Sequence, residues 1–206
     1  AAAAICTPSR FGLLTGRYPW RPRGPADGTG AKAPSGVTNV APWGPPVFGP
    51  DRLTVARFLR GHGYATACIG KWHLGWEWPT RDGQPPRTGP DLRSNIDFTR
   101  PIGGGPTARG FDTYFGTDVP NYPPYCFIEN DRTVGLPDLP TSTEFETPGP
   151  KLAGWNQAEI LPELTRRAGR YIEEAAGRGR PFFLYFPLTS PHHPVVPTAE
   201  FRGRSQ

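Results

Sequence analysis

The residues best equipped for chemistry open the chain: Cys6-Thr7-Pro8-Ser9-Arg10, continued by Phe11-Gly12-Leu13-Leu14-Thr15-Gly16-Arg17. Pro8 has no N–H to lose and suits the first turn of a helix. Leu13 and Leu14 centre a short apolar helix that Gly16 can end. Cys6 then lies at a helix N-terminus, among unpaired N–H groups that attract anions. Arg10, one turn on, adds a fixed cationic fork. The combination is a nucleophile beside an anion cradle. A buried structural cysteine before an ordinary capped helix is the other reading of the same residues.

Two further stretches carry ionisable groups at strand ends. Tyr64–Ile69 reads as a short buried strand, and Gly70-Lys71-Trp72-His73-Leu74-Gly75 follows it directly. Open α/β sheets bind ligands at the carboxyl ends of their strands. An extended i, i+2 pair would point Lys71 and His73 to one side. Pro181-Phe-Phe-Leu-Tyr-Phe-Pro187 is nearly all apolar and reads as a central strand buried on both faces. It runs into Ser190-Pro191-His192-His193-Pro194, placing histidines at another strand end. A surface lysine, a satisfied histidine and a plain loop are the structural alternatives.

Cys6-x-Pro8-Ser9-Arg10-x4-Thr15-Gly16-Arg17 resembles the signature of the type I sulfatases, the formylglycine-dependent members of the alkaline phosphatase superfamily. Gly70-Lys71-Trp72-His73-Leu74-Gly75 resembles that family's second signature without a mismatch. His192 satisfies the family's His-x-Pro, so the role of reaching the sulfate falls on His192 rather than His193. The resemblance implies an α/β, alkaline-phosphatase-like sandwich with a mainly parallel central sheet. Residues 1–206 would form a partial sulfatase catalytic domain lacking its first strand and C-terminal part, with Pro/Gly-rich loops near 18–50, 76–110 and 133–155. The paired aspartates that precede the cysteine in the family do not precede Cys6. The family's later Asp-Asn pair and a further lysine would lie past Gln206.

The activity implied is hydrolysis of sulfate monoesters, in the arylsulfatase manner. Cys6 would be oxidised to formylglycine by a formylglycine-generating enzyme, and its hydrate would attack sulfur. The alcohol then leaves, and the second hydroxyl expels sulfate; one hard displacement becomes two easier steps. By resemblance the metal is calcium, with Cys6 as its one ligand in this chain. Arg10 would stabilise the diol oxygen, Lys71 the sulfate oxygens, and His73 would orient the diol. His192 would contact the sulfate and leaving oxygen, with general acid as a further role. Asn121 falls near where some sulfatases place a polar residue against the hydrate; a turn-forming Asn before Pro123 explains it equally. Alternatives are a phosphomonoester or phosphonate monoester hydrolase of the same superfamily, and an inert binding or scaffold fragment with Cys6 unmodified. A thiol-nucleophile hydrolase is a more distant option. The isolated 206-residue piece is expected to bind calcium weakly and to hydrolyse little. The full-length protein is expected to be exported, periplasmic or extracellular, by family habit.

Several elements must position these residues. Asp51 is expected to cap a helix reaching about Arg60, with Leu53, Ala56, Phe58 and Leu59 facing inward and Gly61 or Gly63 stopping it. Gly110–Gly116 reads as a compact aromatic turn, and Phe127–Arg132 as a small strand and turn whose acids serve the turn rather than a metal. Asn156 or a neighbour starts the longest helix, to about Ala176, with a stripe of Leu161, Leu164, Ala168, Tyr171, Ile172 and Ala175. Trp20 and Trp43 are expected to pin the 18–50 loop to the body, though the loops at 18–50 and 76–90 could shape a carbohydrate pocket.

Gly and Pro make up about a quarter of the 206 residues, near the level of disordered chains. The aromatic content of 12% argues for a folded core instead. A net charge of +5 from scattered arginines favours an anionic substrate only weakly, and no nucleic-acid module or basic run appears. Three well-separated cysteines match no zinc spacing and no disulfide framework. The sequence contains no methionine, which suggests a processed or truncated chain. Neither a signal peptide nor an apolar run of membrane-spanning length is present.

Overall fold

A computed structural model describes residues 3–21, 36–87, 94–140 and 147–204. Helix α1, Cys6–Thr15, follows extended Ile5 and begins at the cysteine itself. Pro8 falls in its first turn. Gly16, in the left-handed region, closes the helix by donating its N–H to the Gly12 carbonyl at 2.9 Å. Phe11 and Leu14, three residues apart, share one face and are buried. Leu13 points the other way and is 62% exposed.

Helix α2, Val55–Gly61, is capped by Thr54 rather than by Asp51. The Thr54 hydroxyl accepts the Arg57 N–H at 3.0 Å and donates to the Arg109 carbonyl at 2.7 Å. Asp51 stands three residues too early to do either. The helix meets the core through the small, fully buried Ala56, so Leu53 and Phe58 remain outside, contrary to expectation.

The next strand, β1 (Ala65–Lys71), lies inside the sheet, one strand from its edge. It pairs in parallel with β2 (Thr113–Thr117) on one side and β7 (Phe182–Tyr185) on the other. Past β2, the hairpin of β3 (Ile128–Glu129) and β4 (Arg132–Thr133) continues the sheet antiparallel, giving the order β4-β3-β2-β1-β7. The segment Gly110–Gly116 is therefore not an aromatic turn. Gly110 ends a 3-10 turn, Pro106–Arg109, and the aromatic residues that follow belong to a buried strand. The apolar run at 181–187 is likewise corrected: β7 lies at the edge of the sheet among the described residues, and is half-buried. An apolar run reads the same whether one neighbour or two cover it. Separately, β5 (Leu139–Pro140) pairs antiparallel with β6 (Pro150–Lys151).

Alternation along β1 and β2 divides the core. Cys68 and Tyr114, paired in register, join Phe11, Leu14, Ala56 and Trp72 on one face. Ile69 and Phe115 turn to the other face and meet Ile160, Leu164 and Ala168 of α3, Ile160–Gly177. Asn156 caps the 3-10 turn leading into α3, its Oδ1 accepting the Ala158 N–H at 3.0 Å. Ile172, assigned to the stripe, is exposed. Glu163 pairs with Arg166 and Arg167 on the outer face of the helix.

The tryptophans of the loops build core rather than pocket. Trp43, Trp76 and Trp78 are buried, and Trp78 meets Trp43 edge-on and Trp76 at a tilt. Trp20 is the exception at 58% exposed, stacked on Tyr18 at 4.6 Å. Residues 22–35, in the middle of the first loop, lie outside the described residues. Among the described residues no helix is long and apolar enough to cross a membrane.

Candidate active site

The carboxyl ends of β1 and β2 meet the N-terminus of α1. Lys71 is the last residue of β1, paired with Thr117. Its N–H donates to the Pro187 carbonyl at 2.8 Å, tying β1 to the chain leaving β7. Its ammonium lies 3.5 Å from Cys6 Sγ. Arg10, four residues after Cys6 and so on the same helix face, donates from Nη1 to the Lys71 carbonyl at 2.7 Å. The same nitrogen reaches the Tyr185 hydroxyl at 3.4 Å. One turn of α1 thus touches both ends of one lysine.

The backbone around Lys71 is close-set. Gly70 has φ +136°, and a Cβ there would collide with the Pro187 carbonyl. A Cβ on Gly116 would strike the Gly70 carbonyl. The three segments that end at the site touch main chain to main chain, which only glycine permits.

His73 departs from the expected extended pair. Its φ is +51°, so the chain turns left-handed immediately after β1 instead of alternating. Three bonds define its place. Its N–H donates to Asp118 Oδ1 at 3.1 Å, and its carbonyl accepts the Thr7 hydroxyl at 2.8 Å, beside Cys6. The ring Nε2 lies 3.0 Å from the Val40 carbonyl. Nε2 must therefore carry the proton, because a carbonyl can only accept. In the neutral ring Nδ1 is then an acceptor; it is buried and has no hydrogen-bond partner among the described residues.

Burial governs the charges. It lowers the Lys71 ammonium below its ordinary value; Cys6 opposes this and Arg10 adds to it. It drives His73 down to about 4, with the positive charge of Lys71 as the next cause, so the ring is neutral near pH 7. It pushes Asp118 up to about 6, against the Trp76 side chain, the His73 N–H and the charges of Lys71 and Arg10. Lys71 is 1% exposed, His73 3% and Asp118 6%. Asp118 was not singled out from the sequence. The available signal was its position, directly after a strand and level with the end of β1.

His192 is only partly assembled with this group. Its Nδ1 donates to the neighbouring His193 carbonyl at 2.6 Å, and none of its hydrogen bonds goes to Cys6, Arg10, Lys71 or His73. Its charge does bear on His73. The residue stands in the wall of an apolar cavity of 680 Å³ with Leu161, Pro162, Val195 and Phe201. Asn121 has a buried Oδ1 without a partner among the described residues, while its carbonyl accepts the Tyr125 hydroxyl at 3.0 Å.

Among the described residues no three His, Cys, Asp or Glu side chains stand together as a metal-binding group. Calcium takes six to eight oxygen ligands. Around Cys6 stand an ammonium and a guanidinium, and the nearby Asp118 carboxylate is engaged by the His73 N–H. These residues do not fit a calcium ion. The same cationic donors do fit an oxygen-bearing group at position 6 and an anion bound beside it.

The fold is alkaline-phosphatase-like, a mostly parallel mixed sheet whose strand ends bring cations to a helix N-terminus. The sulfatase family model matches residues 1–206, and the chain belongs to the sulfatase family. It is 29% identical over 247 residues to an N-acetylgalactosamine-6-O-sulfatase of Bacteroides thetaiotaomicron, covering 100% of this chain and 42% of that protein. It is 32% identical over 225 residues to arylsulfatase G of Mus musculus, covering 96% and 34%. A solved structure described by the metabolism of multiple glycosaminoglycans by Bacteroides thetaiotaomicron superposes with a TM-score of 0.68 at 28% identity, covering 97% and 44%. The PsFucS1 sulfatase from Pseudoalteromonas sp. shares the fold with a TM-score of 0.57 at 19% identity, covering 97% and 36%. The chain thus spans less than half the length of the proteins it matches.

Proposed function

We propose that the protein containing this chain hydrolyses sulfate monoesters with residue 6 as nucleophile, after a formylglycine-generating enzyme has oxidised Cys6. The observation that carries the reading is the Lys71 ammonium 3.5 Å from Cys6 Sγ, with Arg10 fastened to the same lysine. Formylglycine at position 6 supplies, as its hydrate, an oxygen nucleophile that a thiol cannot replace in this chemistry.

Lys71 binds the sulfate oxygens and counters the charge that grows on them as the ester bond breaks. Arg10 holds Lys71 in place through its carbonyl and adds positive charge at the helix N-terminus. His73, neutral and with Nδ1 unprotonated, accepts a proton or hydrogen bond from the hydroxyl at position 6. His192 is assigned to the leaving oxygen, with the ring swinging away from the His193 carbonyl to reach it. Calcium is implied by the family resemblance alone; the described residues around Cys6 do not fit it, and no step here depends on it.

The test uses the protein expressed from its complete gene together with a formylglycine-generating enzyme. The tryptic peptide ending at Arg10 should be lighter by about 18 Da than its cysteine form. The wild type should cleave an aryl sulfate, and Cys6→Ala should not. Equal or faster cleavage of the matched phosphate ester, or an unmodified thiol in an active enzyme, rejects the reading.

A further inference from the structure

Asp118 has a task that the reaction scheme above leaves out. It is a buried carboxylate, and burying a charge is costly unless specific partners offset it. The Trp76 side chain steadies its charge, and Oδ1 accepts the His73 main-chain N–H at 3.1 Å. That N–H belongs to a non-glycine residue at φ +51°, a conformation that costs a histidine energy and persists only when the surroundings impose it. On the other side of the same residue, the Thr7 hydroxyl holds the carbonyl at 2.8 Å and accepts the Val40 N–H at 3.2 Å. Val40 in turn offers its carbonyl to Nε2. His73 is thereby clamped between the end of β2, through Asp118, and the first turn of α1, through Thr7. Among the described residues nothing binds Nδ1, which leaves that atom free to act.

We propose that Asp118 is a positioning residue for the hydrolysis. Its carboxylate holds the left-handed turn at His73 and so sets where Nδ1 stands relative to residue 6. The proposal rests on the sulfatase reading for its catalytic consequence, and on the hydrogen-bond geometry for its structural one. Burial also raises the carboxyl to about 6. A protonated carboxyl still accepts through its carbonyl oxygen, so the bond to His73 survives moderate acid.

The experiment is a double-mutant cycle in the protein expressed from its complete gene, read with an aryl sulfate and accompanied by amide exchange at His73. Asp118→Ala should lower kcat about 10- to 100-fold, the scale of a misplaced catalytic group, with KM changed far less. In a His73→Ala background the same substitution should add less than about twofold, because Asp118 acts through that ring. Asp118→Asn keeps an acceptor and should retain kcat within about threefold. The His73 amide should exchange at least about tenfold faster in Asp118→Ala than in the wild type. Additive effects, an unchanged kcat in Asp118→Ala, or unchanged exchange each overturn the proposal. Should the alanine variant not fold, a loss of about tenfold or more in Asp118→Asn overturns it instead. A wild type that cleaves no sulfate ester defeats the sulfatase reading, and the exchange measurement then decides the positioning by itself.

Discussion

The Lys71 ammonium and the Cys6 sulfur lie 3.5 Å apart although 65 positions separate them in the chain. Nothing but the fold makes them neighbours: one ends a strand and the other starts a helix. Lys71→Ala removes the donor nearest the reacting atoms, and kcat/KM should fall about 100- to 1,000-fold, as for loss of an oxyanion donor. Lys71→Arg keeps the charge but not the reach of a compact ammonium, so it should recover little. Steady-state kinetics on an aryl sulfate check both; wild-type rates in Lys71→Ala refute the assignment.

Tyr185 supports Arg10 from the sheet through a bond of 3.4 Å, long for an N–H to oxygen contact. Tyr185→Phe should therefore cost no more than about 1 kcal/mol of stability and leave kcat within a few-fold. Arg10→Ala loses the bond to the Lys71 carbonyl as well, and should be much the more damaging in both readouts. Chemical denaturation together with turnover distinguishes the two variants.

Acid should act on His73 and Asp118 in opposite directions. His73 titrates near 6.5 when unfolded and at about 4 when folded, so the unfolded chain takes the extra proton first. Stability through this group is full above pH 6.5 and is lost as pH falls toward 4. Asp118 titrates near 3.8 unfolded and at about 6 folded, so the folded chain takes its proton first and gains stability as pH falls through that window. At 1.36 kcal/mol per pKa unit each effect is about 3 kcal/mol, and the two nearly cancel. Asp118→Asn should lose stability more steeply than wild type between pH 7 and 4, and His73→Gln less steeply. Urea midpoints across that range test the pair; parallel curves for all three proteins would be incompatible with it.

Leu164 is wholly enclosed between α3 and the Ile69–Phe115 face of the sheet. Leu164→Ala should cost about 2–5 kcal/mol. Ile172→Ala, on the exposed side of the same helix, should cost well under half of that. Thermal melts of the two variants measure the difference, and similar losses would show that α3 is docked otherwise.

Cys6, Arg10 and Lys71 were legible in the sequence because both stretches have fixed spacing and each abuts a recognisable helix start or strand. Strand β1, the long helix that follows Asn156 and the Phe127–Arg132 hairpin were legible for similar reasons of period and turn chemistry. His73 kept its place but not its geometry: a left-handed residue that is not glycine leaves no mark in composition. Asp118 was invisible because one acid after a strand is unremarkable until its hydrogen-bond partner is known. Asp51 and Thr54 are both good caps on paper, and only the position of the Arg109 carbonyl chooses between them. The apolar run at 182–185 advertised burial without saying how many neighbours provide it.

The meeting of Gly116, Gly70 and Pro187 behind Lys71 has an implication for how this protein can be altered. A wall made of bare peptide has no rotamers to adjust and no volume to trade, so it cannot be reshaped by side-chain exchange. On the proposed function, adaptation to a different ester must come from the loops around Val40 and Asn121 and from the approach past His192. Engineering effort spent on the sheet side of the cradle would break the scaffold before it changed the preference.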